Sequence, residues 1–171
     1  MIISQLKNFD SIYIFVTMNI QSILMSASDA LDNENMEEAE KLFNLAIAKD
    51  RNCYLAYYNL AIMAEDSNNF AKAEEYLKKA LEIKSDDADI LTAMGTVYLK
   101  SEHPDEAENF FIKALEISEN EVACNNLGIV YFQRKNYKKA KELYKKALAI
   151  NPDYQEAREN VALANFYIAM L

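Results

Sequence analysis

Very few residues of this chain could take part in covalent or metal-dependent chemistry. The 171 residues contain one histidine, His103, and two cysteines, Cys53 and Cys124. The cysteines lie far apart and belong to no Cys-x-x-Cys or Cys/His cluster, so neither a metal site nor a disulfide framework is expected. No activated nucleophile or glycine-rich phosphate loop accompanies them. The sequence predicts a protein that is not an enzyme, has no cofactor or metal, and keeps reduced thiols, as is typical of the cytoplasm.

Side-chain amides are the more promising polar groups. Asn59, Asn126 and Asn160 follow one another at intervals of 67 and 34 residues. An amide can both donate a hydrogen bond to a peptide backbone and accept one from it, which would hold a partner segment with little sequence selectivity. The same amides could instead bridge neighbouring helices. The sequence leaves both interpretations open.

Composition and charge limit the fold and the partners. Glycine and proline number two each, and about half of the chain is apolar, which indicates helices around a sizeable core. The net charge of -9 disfavours nucleic acid and anionic membranes as partners, because both are bound through clustered Lys and Arg. The charge is uneven, with an acidic stretch at 29–40 and a basic stretch at 134–146. Either stretch could be a solvated helix face or a docking patch.

The N-terminal segment, residues 1–19, has no clear structural pattern. Its longest apolar run, from Ile12 to Val16, is far shorter than the roughly 18 residues of a spanning helix. A secretory signal could begin at Lys7 and end at the small residues from Ser26, but Asp10 interrupts the basic region that such a signal needs. We therefore expect no membrane span and a cytoplasmic location.

Internal repeats organise the rest of the chain. A pair of alanines seven residues apart recurs at intervals of 34, 34 and 33 residues, and two helical turns span about 7.2 residues, so each pair shares one helix face. Large residues lie between the paired alanines. The alanines are Ala39, Ala73, Ala107 and Ala140, with Ala46, Ala80, Ala114 and Ala147, and the large residues are Phe43, Leu77, Phe111 and Tyr144. This pattern predicts an amphipathic helix in each repeat.

Two further positions recur in register. Asn35, Asn69, His103 and Asn136 precede these helices, and Asn is a preferred N-cap, so His103 before Pro104 is interpreted as a substitute cap. An earlier periodic segment in each repeat places Gly95 and Gly128 at one position. Glycine inside a helix costs about 1 kcal/mol relative to alanine, which favours a close helix crossing there.

These features resemble the tetratricopeptide repeat family. The segments "NLGIVYF", "NYKKAKELYKKAL" and "INP" match its Leu-Gly, Tyr, Ala, Tyr, Ala and Pro signature, although the first repeat lacks the first-helix signature. The resemblance implies an all-α, right-handed α-solenoid of helix-turn-helix repeats with a C-terminal capping helix. The implied units are a divergent repeat at 20–53, repeats at 54–87, 88–120 and 121–154, and a capping helix at 155–171.

In this family the first helices of the repeats line a concave groove that binds a peptide or a helix of another protein. The resemblance places an apolar and amide-rich groove on this chain. Its members are Leu24, Tyr58, Asn59, Ile62, Thr92, Thr96, Asn125, Asn126, Ile129, Phe132, Glu159, Asn160 and Leu163. A clamp for a partner's terminal carboxylate would need Lys and Arg. A carboxylate clamp is not expected, because the corresponding positions hold Leu24, Tyr58, Asn59, Asp89 and Ala93 and no Lys or Arg.

Two functions from different classes remain. The preferred one is a protein-interaction module, an adaptor or scaffold whose groove binds another protein. The alternative is a structural protein that forms homo-oligomers through apolar termini, above all residues 166–171, "FYIAML". Base stacking on the eleven tyrosines is disfavoured, since most of them have helical spacing on packing faces.

Overall fold

The structure of the protein is a computed structural model that describes residues 19–170. This part of the chain forms nine α-helices and no strand. The helices are α1 Ile20–Asp32, α2 Met36–Lys49, α3 Tyr54–Asp66, α4 Phe70–Ile83, α5 Ala88–Lys100, α6 Pro104–Ile117, α7 Glu121–Gln133, α8 Tyr137–Ile150 and α9 Gln155–Ala169. The predicted N-terminal segment at 1–19 lies outside the described residues, except for Asn19, which caps α1.

The helices form two layers. Each helix packs against the next one along the chain, and α3, α5, α7 and α9 also contact one another in that order. The odd-numbered helices therefore form one layer, called here the first helices, and the even-numbered second helices form the other. This is the helical-repeat arrangement that the sequence predicts, in which neighbouring pairs bury a continuous core.

The repeated alanines are the reason that the layers pack closely. All eight of them are fully buried, and the large residues between them, Phe43, Leu77, Phe111 and Tyr144, are at most 2% exposed. Small side chains let the facing helix approach, and the large ones fill the space between the two helices. The predicted packing face is confirmed in all four second helices.

Each second helix begins at its predicted cap position, with one difference in the capping bond. The side chains of Asn35, Asn69 and Asn136 each accept a hydrogen bond of 3.3 Å from a backbone N–H of the first turn. His103 occupies the same position but makes no capping bond; its Nδ1 lies 3.3 Å from Ser101 Oγ. The prediction that the His103 side chain caps α6 is wrong, and Pro104 at the first helical position begins that helix without it.

The turn between the two helices of each pair contains a left-handed residue. Glu34, Asn68, Glu102 and Lys135 have φ between 57° and 66°. The residue after each one donates its backbone N–H to a carbonyl five positions earlier, as from His103 to Tyr98 at 2.8 Å. This bond closes the end of the first helix in the manner of a Schellman motif. In that motif the residue with positive φ is usually glycine.

Glycine at Glu102 is therefore expected to stabilise the fold. A side chain at positive φ costs about 1–2 kcal/mol, and glycine removes this cost. Part of the gain in stability is offset by the greater freedom of glycine in the unfolded chain. We expect Glu102→Gly to raise the free energy of unfolding by about 0.5–1 kcal/mol, measured by urea denaturation. Asn68→Gly is the control and should gain less, because asparagine tolerates this conformation. An equal or lower stability of Glu102→Gly would contradict the explanation.

Both glycines lie where a second helix crosses closely. A Cβ atom built on Gly95 would lie 2.6 Å from Cε1 of Phe111, and one built on Gly128 would lie 2.5 Å from Cε1 of Tyr144. Real Cβ atoms do not come this close to a ring carbon. The predicted tight crossing is confirmed, and its cause is the aromatic ring of the second helix in the same pair.

Candidate functional site

The exposed side of the first-helix layer contains a shallow depression of about 210 Å³, called here the first-helix depression. It is lined by α3, α5 and the start of α7. The lining residues are Tyr58, Ile62, Glu65, Asp89, Thr92, Ala93, Thr96, Asn120 and Val122. Four of the predicted groove residues, Tyr58, Ile62, Thr92 and Thr96, are thus brought together at one place.

Two predicted groove residues at one repeat position are not equivalent in the structure. Asn59 is half-buried, and its Nδ2 donates to the Leu55 carbonyl of its own helix at 2.8 Å. Asn126 is buried and donates to Thr96 Oγ1 of the neighbouring first helix at 3.0 Å. The sequence left open whether these amides bridge helices or bind a partner, and Asn126 is used as a bridge.

Asn125 is not part of an accessible groove surface. Its side chain is fully buried. Its Nδ2 lies 3.1 Å from Glu156 Oε1 and 3.4 Å from Asn126 Oδ1, and its Oδ1 accepts from Asn160 Nδ2 at 3.0 Å. The prediction that Asn125 lines the groove is wrong, because this side chain faces α9 and joins α7 to it. Asn160 is likewise engaged in that contact.

The remaining predicted groove residues differ in exposure. Ile129 and Phe132 are partly buried against the cluster around Tyr144. The Phe132 ring also lies 5.0 Å from Tyr137 and 5.3 Å from Tyr167, measured between ring centroids. Leu163 on α9 is 44% exposed.

The outer two members of the predicted groove, Leu24 and Glu159, lie near the ends of the array. Leu24 packs partly buried against the core of the first pair, and Glu159 is exposed and accepts from Gln155 Nε2 at 2.8 Å. The predicted groove did not include the other lining residues of the depression, which are Glu65, Asp89, Ala93, Asn120 and Val122. Val122 and Asp89 occupy the same position in consecutive repeats, so the regular spacing could have predicted that Val122 lies beside the groove.

The electrostatics of the depression are negative. Burial raises the pKa of the Tyr58 hydroxyl, and the charges of Asp89, Asp87 and Glu65 raise it further. Each of these effects disfavours a negative charge on the phenol. The acidic residues around Tyr58 thus oppose an anion there, whereas burial by itself disfavours a charge of either sign.

Tyrosines at repeated positions hold consecutive pairs together. Tyr98 donates to Glu74 at 2.7 Å, and Tyr131 donates to Glu108 at 2.5 Å. The bond to Glu74 raises the pKa of Tyr98 to about 12, since the carboxylate stabilises the protonated phenol. Arg134 makes ion pairs with Glu108 and with Asp105. These tyrosines are packing and bridging residues in the structure.

Neither cysteine nor any acidic cluster in the described part forms a metal site. Cys53 and Cys124 are buried free thiols, and burial raises the pKa of Cys124. Residues 19–170 contain no group of three or more His, Cys, Asp or Glu side chains placed to hold a metal ion. Within the same residues, every helix is too short or too polar to cross a membrane.

Comparison with known proteins identifies the repeats. Tetratricopeptide repeat models match residues 55–120 and 122–154, which together make up more than half of the chain. Human tetratricopeptide repeat protein 6 is 28% identical over 131 residues, covering 75% of this chain and 25% of that protein. The chain thus spans about a quarter of that relative's length.

Solved structures share the fold. The structure of PilF from Pseudomonas aeruginosa has a TM-score of 0.80 at 23% identity, covering 88% of this chain and 69% of that one. YrrB is described as a tetratricopeptide protein with an unusual peptide-binding site. It has a TM-score of 0.66 at 20% identity, covering 86% of this chain and 76% of that one. The predicted all-α, right-handed solenoid is confirmed. Its repeat spacing, its helix pairs and these matches show that the chain belongs to the tetratricopeptide repeat family.

Proposed function

We propose that this chain is a non-catalytic protein-interaction module that holds a peptide or a helix of another protein against its first-helix surface. The observation that carries the proposal is the first-helix depression, where Tyr58, Ile62 and Thr96 of two neighbouring helices border one recess. Leu163 on the last first helix, α9, is a further exposed apolar side chain. The peptide-binding site described for YrrB supports this use of the fold. A cytoplasmic location stays a prediction.

Site-specific photo-crosslinking tests the proposal. A benzophenone amino acid would replace Leu163 on the first-helix surface or, as the control, Ile112 on the second helix α6. The two positions are matched in exposure, at 44% and 40%. In cells, we expect crosslinks to a partner polypeptide from position 163 and not from position 112. Equal crosslinking from both positions, or none from 163, would contradict the proposal.

A second candidate function is self-assembly through the C-terminal end. Phe166 is 60% exposed and Met170 is 69% exposed, so this end presents apolar surface; Leu171 lies outside the described residues. Contiguous apolar surface of this kind often marks an interaction site. Light scattering over a range of concentrations tests it. A molar mass equal to one chain at every concentration would rule out this candidate.

A further inference from the structure

Charge is divided unequally between the two layers of helices. The first helices carry eight acidic and two basic residues, whereas the second helices carry eleven of each. The net charge within the described helices therefore belongs to the first-helix layer. The basic stretch at 134–146 lies mainly on the second helix α8 and does not offset it.

Both basic side chains of the first helices already have partners. Lys100 Nζ lies 2.5 Å from Glu65 Oε1. Arg158 donates to the Pro152 carbonyl at 2.7 Å and to Gln155 Oε1 at 3.0 Å. Each guanidinium or ammonium group is thus occupied within the chain. An anionic ligand on this layer would find acidic neighbours and few available cations.

Exposed apolar side chains are concentrated on the same layer. Seven of the ten large apolar residues that are exposed in the described part belong to first helices or to the end of α9. These are Met25, Leu55, Val122, Leu163, Phe166, Tyr167 and Met170. Val122 borders the first-helix depression together with Asp89, so one recess contains both apolar and acidic groups.

We infer that the occupant of the first-helix surface is a polypeptide segment that carries Lys or Arg together with apolar side chains, such as one face of a basic amphipathic helix. This inference rests on the proposed function and names the chemistry of its partner. Apolar side chains of the segment cover Ile62, Val122 and Leu163, and its cations meet Asp89 and Glu159. Charge complementarity of this kind selects the partner and speeds its association.

Two designed peptides test the inference. One is a fluorescent 18-residue amphipathic helix of Lys and Leu, and the other has Glu at every Lys position. Binding is measured by fluorescence anisotropy against the whole chain. We expect the Lys–Leu peptide to bind, with an affinity that falls as salt is raised, and the Glu–Leu peptide to show no binding.

Matched charge reversals locate the bound peptide. The first-helix variant combines Asp89→Lys with Glu159→Lys, and the control combines Glu82→Lys with Glu116→Lys on second helices. All four residues are exposed, and both variants change the net charge equally. We expect the Kd of the Lys–Leu peptide to rise about tenfold in the first-helix variant and less than about twofold in the control. Circular dichroism would verify that both variants remain helical.

Each other outcome has a definite meaning. Equal binding of the two peptides, or an equal loss of affinity in the two variants, would overturn the inference, because charge on the first-helix layer would then not select the ligand. If neither peptide binds and the segment crosslinked from position 163 is acidic or uncharged, the inference fails while the proposed function stands. If position 163 also gives no crosslink, both fail.

Discussion

Replacing Gly95 by alanine is expected to lower the free energy of unfolding by about 1–3 kcal/mol. The added Cβ would lie 2.6 Å from Cε1 of Phe111, a ring that is fully buried. Alanine in a helix interior would otherwise stabilise the chain by about 0.8–1.0 kcal/mol over glycine. A net loss of stability, measured by urea denaturation, therefore requires the steric cost to exceed this gain.

A second substitution on the opposite helix provides the control. The pair of helices α3 and α4 has Ala61 and Leu77 at the positions of Gly95 and Phe111, and both are fully buried. Phe111→Leu should thus remove most of the clash, and the double variant should be more stable than the sum of the two single changes predicts. Additive effects, or a Gly95→Ala variant as stable as the parent, would contradict the explanation.

The first pair of helices limits the size of this effect. Ala27 and Phe43 occupy the same two positions there, and both are buried in one cluster. An alanine methyl group and a phenylalanine ring can therefore both fit at such a helix crossing when the ring and the two helices shift to make room. Relaxation toward that arrangement is the reason that we expect about 1–3 kcal/mol rather than more.

The second large effect is expected at Asn125. Asn125→Ala should destabilise the protein by about 1–3 kcal/mol, because a buried amide loses three polar contacts and its partner Asn160 loses an acceptor. The loss of stability should occur mainly in α9, because the Asn125 side chain joins α9 to α7. Hydrogen exchange of the α9 backbone amides, followed by mass spectrometry, is expected to become faster than in the parent.

Asn59→Ala is the matched control for this prediction. Asn59 is an amide on a first helix as well, but it is half-buried, and among residues 19–170 its side chain bonds only to its own helix. Its removal should change stability by less than about 0.5 kcal/mol and leave exchange in α9 unchanged. Unaltered α9 exchange in Asn125→Ala, or an equal effect of Asn59→Ala, would show that Asn125 is not the connection between these helices.

Regular spacing made the helices and their packing faces predictable from the sequence. Alanine is informative when it recurs on one helix face, and all eight predicted alanines are buried. Glycine was equally informative at positions 95 and 128. The left-handed turn residues were not predicted, because Glu102 and Lys135 are not types that favour positive φ. The repeating turn geometry imposes that conformation on whatever residue occupies the position.

The candidate site was less predictable for a different reason. Asparagine is polar, so the sequence places Asn125 and Asn126 equally well on an exposed groove or in a polar contact between helices. Only the arrangement of α5, α7 and α9 decides that both are buried and hydrogen-bonded. Tyr58 and Ile62 both line the depression, and their contact with a partner stays a prediction.

The bonds between neighbouring pairs also have a consequence for how the chain folds. Within residues 19–170, the side-chain hydrogen bonds that are farthest apart in sequence, such as Lys100 to Glu65 and Asn160 to Asn125, join residues 35 positions apart. The contact order of this part is therefore low, and low contact order favours rapid folding. Each pair of helices can become native as soon as the next one has been synthesised, without waiting for a distant part of the polypeptide.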